Sequence, residues 1–160
     1  MRILFLGDIV GSSGCSALMQ NLPEQIKNRN IDFVIVNGEN AADQGVGLTE
    51  KICNDLFNCG VHVITTGNHV WDQKEIINHI DKEKRLLRPE NLNKPSPGKG
   101  FEIFDLKNGF KIGVLNLMGN IFMKKCDDVF EASQKFIKKN SLKKDYDFLV
   151  VDFHGEITSE

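Results

Sequence analysis

The chain has 160 residues, 41% of them hydrophobic and 26% charged, which is the length of one domain with enough apolar content for a real core. Its 22 acidic and 20 basic side chains nearly cancel, so no global field argues for a nucleic-acid duplex or an anionic membrane as partner. Cys15, Cys53, Cys59 and Cys126 are scattered without a C-x-x-C pair, no segment approaches transmembrane length, and the expected setting is a reducing cytoplasm.

The first apolar run, 3–6, is stopped by Gly7 and Asp8 too soon for a signal core and reads as a strand. Leu18, Leu22 and Ile26, four apart, predict a helix after it, with Pro23 expected to kink it or to start a new one. The run 33–36 is a second strand and ends in Gly38-Glu39-Asn40. Thr49 is placed to cap a helix burying Ile52, Leu56 and Phe57, which Gly60 ends before a third strand from Val61. That strand leads into Gly67-Asn68-His69. Asp72 and Glu75 have a capping-box look ahead of a helix carrying Ile76, Ile77 and Ile80. Segment 88–100 holds all but one of the prolines and reads as a surface loop dividing two halves. Beyond it, runs 101–106 and 110–117 flank Lys107-Asn108-Gly109, a strong hairpin tip. A helix over 129–139 then leads to a last strand, 148–153, followed by His154-Gly155-Glu156. Strand-length runs alternating with helical periodicity predict an α/β chain with a largely parallel sheet.

The polar clusters behind four of those strands carry the functional signal. If the strands share one sheet and run parallel, their ends converge on one edge, where open α/β sheets place their ligands. Each group also has a plainer reading. Asp8 could cap the following helix, Asn40, Gly67 and Asn68 could be turn residues, His69 could be a satisfied structural histidine, and His154 could merely close a strand. Glu39 is harder to dismiss, because a carboxylate directly after a buried strand is costly unless it is paired or metal-bound. His62, at a strand start, and His79, on a helix with no acidic or amide cluster, read as structural. Taken jointly, four turns each placing a ligand-capable side chain at one edge point to a metal site.

Oxygen and imidazole donors without thiolates suit hard or borderline ions such as Mn, Fe or Zn. Two such ions, held roughly 3.5–4 Å apart, bind a hydroxide nucleophile and clamp the oxygens of a phosphoester, while a nearby imidazole can protonate the departing alkoxide. Asp8, Glu39, Asn68 and His154 have the chemistry of ligands, and His69 has that of the acid.

These motifs resemble those of the calcineurin-like metallophosphoesterases. The details GDIVG from Gly7, GENAA from Gly38 and TGNHVWD from Thr66 are similar to one bacterial branch, the YmdB-like 2′,3′-cyclic-nucleotide phosphodiesterases. The resemblance implies a layered sandwich of central β-sheets flanked by helices, and a cytoplasmic hydrolase of cyclic nucleotides or related phosphoesters. It implies that Asp8 and Asn40 serve one metal, that Glu39 bridges, that Asn68 and His154 serve the other, and that His69 donates the proton. The metals expected are two di- or trivalent ions, Fe or Mn ahead of Zn or Mg. It also implies that residues 1–160 are the N-terminal portion of a single metallophosphoesterase domain, incomplete at the C-terminus. A later Gly-x-His-x-His motif, which gives one imidazole to each metal, would then come from a complementing polypeptide; a homo-oligomer is also open. Two alternatives stand beside the enzyme: a non-catalytic remnant or regulatory protein that keeps the fold, and a nucleotide-binding module reading Gly7, Gly11 and Gly14 as a phosphate loop. The spacing of that loop is not G-x-G-x-x-G, and Asp8 would repel a pyrophosphate.

Overall fold

The computed structural model describes residues 1–93 and 95–159; Lys94, inside the proline-rich segment, and Glu160 lie outside the described residues. Three strands, β1 (Ile3–Leu6), β2 (Phe33–Asn37) and β3 (Val63–Thr65), form one parallel sheet in that order. Helix α1 (Gly11–Arg29) joins the first pair and α2 (Glu50–Asn58) the second. After the short α3 (Ile76–Ile80) come β4 (Phe101–Asp105) and β5 (Lys111–Met118), the expected antiparallel hairpin. Helix α4 (Val129–Lys139) then returns the chain to β6 (Phe148–His154), which pairs parallel to β5. The four site-bearing strands therefore belong to two sheets rather than one, the second of them mixed.

Period-two alternation decides how the sheets stack. Phe33 and Ile35 of β2 face Ile112 and Val114 of β5, together with Val63, Phe104, Phe148 and Val150, so this set is the filling between the sheets. The intervening Val34 and Val36 face the other way, onto Leu18, Leu22, Leu56 and Ile76 of the helices. On the outer face of the second sheet, Leu115 and Leu117 pack on Val129 and Phe136 of α4. The result is a layered α/β sandwich, central sheets flanked by helices. β2 is buried along its whole length, as a strand covered on both faces must be.

Two local expectations are corrected. Pro23 does not start a new helix: α1 runs from Gly11 to Arg29 with Pro23 inside it, on the exposed face, where water can replace the bond its missing N–H forfeits, while Leu18 and Leu22 hold the buried face. The capping box is not formed. Glu75 makes no cap bond to α3 and instead accepts from the N–H of Glu50 at 3.0 Å, at the start of α2, while Asp72 is engaged elsewhere. Thr49 does cap α2, accepting from the N–H of Ile52 at 3.2 Å.

One polar bond ties the sheets together beneath the site. Asn37, the last residue of β2, donates from Nδ2 to Asp152 of β6 at 3.0 Å, and its Oδ1 accepts the N–H of Glu39 at 3.2 Å. Both side chains are buried. Asn37→Ala should therefore lower the unfolding free energy by about 1–3 kcal/mol in urea denaturation, because Asp152 then stays buried without that donor.

Candidate functional site

The C-terminal ends of β1, β2 and β3 lie on one edge because the three strands are parallel, and the end of β6 reaches the same place from the second sheet. Glu39, immediately beyond β2, is the hub, with only 2% of its surface exposed. Its Oε1 lies 2.9 Å from Nε2 of His154 and accepts from Nδ2 of Asn40 at 3.2 Å, while its Oε2 accepts the backbone N–H of His69 at 3.3 Å. Nε2 of His154 is also 3.1 Å from Oδ1 of Asn68. Asn40 donates to Asp8 at 2.8 Å. Asp8, Glu39, Asn40, Asn68 and His154 are thus brought together, and His69 shares with four of them, all but Asn68, the walls of an open cleft of about 400 Å³.

Gly67 makes that convergence possible. A Cβ built there would overlap both the Glu39 carboxylate and the His154 ring. The bare backbone lets groups from the two sheets meet above it.

Asp8 is not a helix cap: the residue before α1 is Val10, and no side chain caps that end. The phosphate-loop reading fails in the same place. Gly11 and Gly14 lie inside α1, and the N–H of Gly11 is committed to the carbonyl of Asn40 at 2.8 Å. His62 accepts the N–H of Val34 on Nδ1 at 3.1 Å and packs on Phe33, a structural role. His79 has Glu50 at 3.5 Å and does not line the cleft.

The model of the YmdB-like protein family matches residues 4–160. The chain belongs to the YmdB-like family. It is 43% identical to the 2′,3′-cyclic-nucleotide 2′-phosphodiesterase of Bacillus subtilis, over all of this chain and 59% of that protein. Among solved structures it resembles a hypothetical protein from Thermus thermophilus, with a TM-score of 0.89 and 37% identity over 100% of this chain and 60% of that one. It also resembles a phosphatase from Mycoplasma pneumoniae, with a TM-score of 0.87 and 34% identity over 99% of this chain and 57% of that one. The YmdB-like chain thus spans about three-fifths of the relatives it matches.

The YmdB-like site is electrostatically unbalanced toward negative charge. Burial raises the Asp8 carboxyl above its ordinary range, and the Glu39 charge adds to this against the bond from Asn40. For His154, burial favours the neutral ring, but the hydrogen bond to Glu39 and the charges of Glu39, Asp152 and Asp8 outweigh it and raise its pKa. The buried Glu39 carboxylate beside the more exposed Asp8 favours a cationic partner, and the His154 imidazole, with its raised pKa, lies against Glu39. No three His, Cys, Asp or Glu side chains among the described residues form a metal nest by themselves. Any such site must draw on the carboxamides of Asn40 and Asn68. The donor chemistry fits a hard or borderline ion, since carboxylate, carboxamide and imidazole atoms already lie at hydrogen-bond distance.

Sequence reasoning missed two side chains behind His69. Asp72 accepts at His69 Nδ1 over 2.6 Å, and Lys124 donates to its other oxygen at 2.7 Å. The Asp three residues after the His in TGNHVWD is visible in sequence but reads as a cap; nothing in sequence marks Lys124.

Both shifts have the same sign for stability. The folded chain holds protons on His154 and Asp8 more tightly than the unfolded chain: the His154 contribution is complete below the ordinary His value of 6.5 and the Asp8 contribution below the ordinary Asp value of 3.8, and each is lost as pH rises through that group's raised folded value. A metal must displace the His154 proton. Isothermal titration with Mn²⁺ or Zn²⁺ should show affinity rising from pH 6 to pH 8 while the denaturation midpoint of the metal-free chain falls over the same interval.

Proposed function

We propose that this chain carries the catalytic edge of a metal-dependent phosphodiesterase acting on a 2′,3′-cyclic nucleotide or a related phosphoester. What supports it most is Glu39, a buried carboxylate on which groups from three segments converge, its own turn, the His69 turn and the end of β6. The name of the Bacillus relative supports the substrate class. In this reading Asp8 and Asn40 would hold one ion, Asn68 and His154 would hold the second, and Glu39 would serve both, with Fe or Mn preferred to Zn or Mg. When bound, such ions supply Lewis acidity at the phosphoryl group and an acidified water as nucleophile.

The remaining work falls to the chain's own residues. His69 shares the cleft with Asp8 and Glu39, and Asp72 occupies its Nδ1. Nε2 is then the ring atom left to deliver a proton to the leaving alkoxide. Asn37 and Asp152 hold the turn bearing Glu39 against β6 and so keep His154 opposite it. This reading includes a complementing polypeptide that supplies further imidazole donors to the ions.

The absence, among the described residues, of a three-member cluster of His, Cys, Asp and Glu favours a second reading, a regulatory protein that keeps the fold and binds ligand without turnover. Metal analysis and kinetics separate the two. With Mn²⁺ supplied, and with the complementing polypeptide present, Glu39→Gln should lose most bound metal. His69→Ala should keep its metal while hydrolysis of a 2′,3′-cyclic nucleotide falls by about 10²–10⁴-fold. Full metal content in Glu39→Gln refutes the shared role, and metal binding without any turnover in the wild type supports the regulatory reading.

A further inference from the structure

The loop between β5 and α4 crosses to the His69 turn and sets a cation behind the proposed acid. Lys124 lies 52 residues along the chain from Asp72, yet its Nζ donates to Asp72 Oδ1 at 2.7 Å. The other oxygen, Oδ2, meets Nδ1 of His69 at 2.6 Å. One carboxylate is therefore gripped at both oxygens, by an ammonium from one side and an imidazole from the other.

The loop carrying Lys124 is itself anchored just beyond that residue. Asn93 donates from Nδ2 to the carbonyl of Lys125 at 3.2 Å, and Asn91 exchanges bonds with the backbone of Asp127 at 2.8 and 2.9 Å. The ammonium is thus delivered by a fixed backbone.

An ion pair this exposed contributes little to stability. Lys124 is 54% and Asp72 30% accessible, and pairs of that kind are worth about 0–1 kcal/mol. Its consequence lies in orientation. A carboxylate holding an imidazole by one oxygen alone can rotate about its own bond, and a donor on the second oxygen removes that freedom.

We propose that Lys124 is a positioning residue for His69, acting through Asp72. It keeps one Asp72 oxygen on Nδ1, so that Nε2 is the ring atom facing the cleft. This rests on the reading of His69 as the proton donor. In that step a hydroxide oxygen forms a new bond to phosphorus while the bond from phosphorus to the leaving oxygen breaks. The leaving oxygen takes the electron pair of that bond and the proton from Nε2, and Nδ1–H stays on Asp72. The ammonium also offsets the Asp72 charge, so the dyad presents no net negative charge to an incoming phosphodiester.

The test uses Lys124→Met and Lys124→Arg, with Asp72→Asn as the reference for a lost orienter. Ring ¹⁵N–¹H spectroscopy of the metal-free 160-residue chain reads orientation without needing activity. Lys124→Met should speed solvent exchange of the His69 Nδ1 proton by about tenfold or more, and Lys124→Arg should restore it. In kinetics with Mn²⁺ and the complementing polypeptide, Lys124→Met should lower kcat on a 2′,3′-cyclic nucleotide about tenfold with KM within about twofold. Hydrolysis of bis-p-nitrophenyl phosphate, whose leaving group needs no proton, should change by less than about twofold. Unchanged Nδ1 proton exchange in Lys124→Met overturns the proposal. So does a rise in KM with kcat intact, which makes Lys124 a direct phosphate contact, or an equal loss on both esters. A wild type without turnover refutes the phosphodiesterase reading, and the ring spectrum then decides the role of Lys124 alone.

Discussion

A carboxylate sealed from water dominates the energetics of this molecule. Glu39 stands at the end of a strand with no exposed residue, and removing an ionised group from solvent costs several kcal/mol unless partners replace the lost hydration. Those partners cannot come from its own segment alone. Asn40 is its neighbour, but the His69 amide lies past β3 and the His154 ring at the far end of β6. Stable burial of Glu39 therefore requires that both sheets form and stack in one register, which makes the candidate site and the tertiary structure a single cooperative object. The Asn37–Asp152 bond, just below, fixes the same register from inside.

Much of this is legible in the order of residues alone. Apolar runs of strand length mark the strands, and a glycine beside a carboxylate, carboxamide or imidazole marks each site-bearing strand end, because a tight turn and a ligand side chain leave adjacent residues in sequence. Which sheet each strand joins is not legible. A parallel β6 looks the same in sequence whether it extends the first sheet or pairs with β5, and the choice depends on the hairpin β4–β5 supplying the free edge.

The misread polar residues share a physical cause. Asp72 and Glu75 have the spacing of a capping box, yet each carboxylate finds a better donor in another segment: Lys124 and His69 for one, the start of α2 for the other. Local spacing states what a side chain can do for its own helix, and it is silent on competitors brought close by tertiary packing. Pro23 reverses the case. Its local penalty is real, and the apolar face of α1 overrides it.

The bare backbone at Gly67 also shapes how this protein can change over generations. A single added methyl group there would push aside a carboxylate held by one sheet and an imidazole held by the other. No lone substitution at position 39 or 154 makes room without removing a donor. The three positions are consequently coupled: a side chain at position 67 demands the displacement of a group from each sheet, so it reaches the packing of both sheets at once.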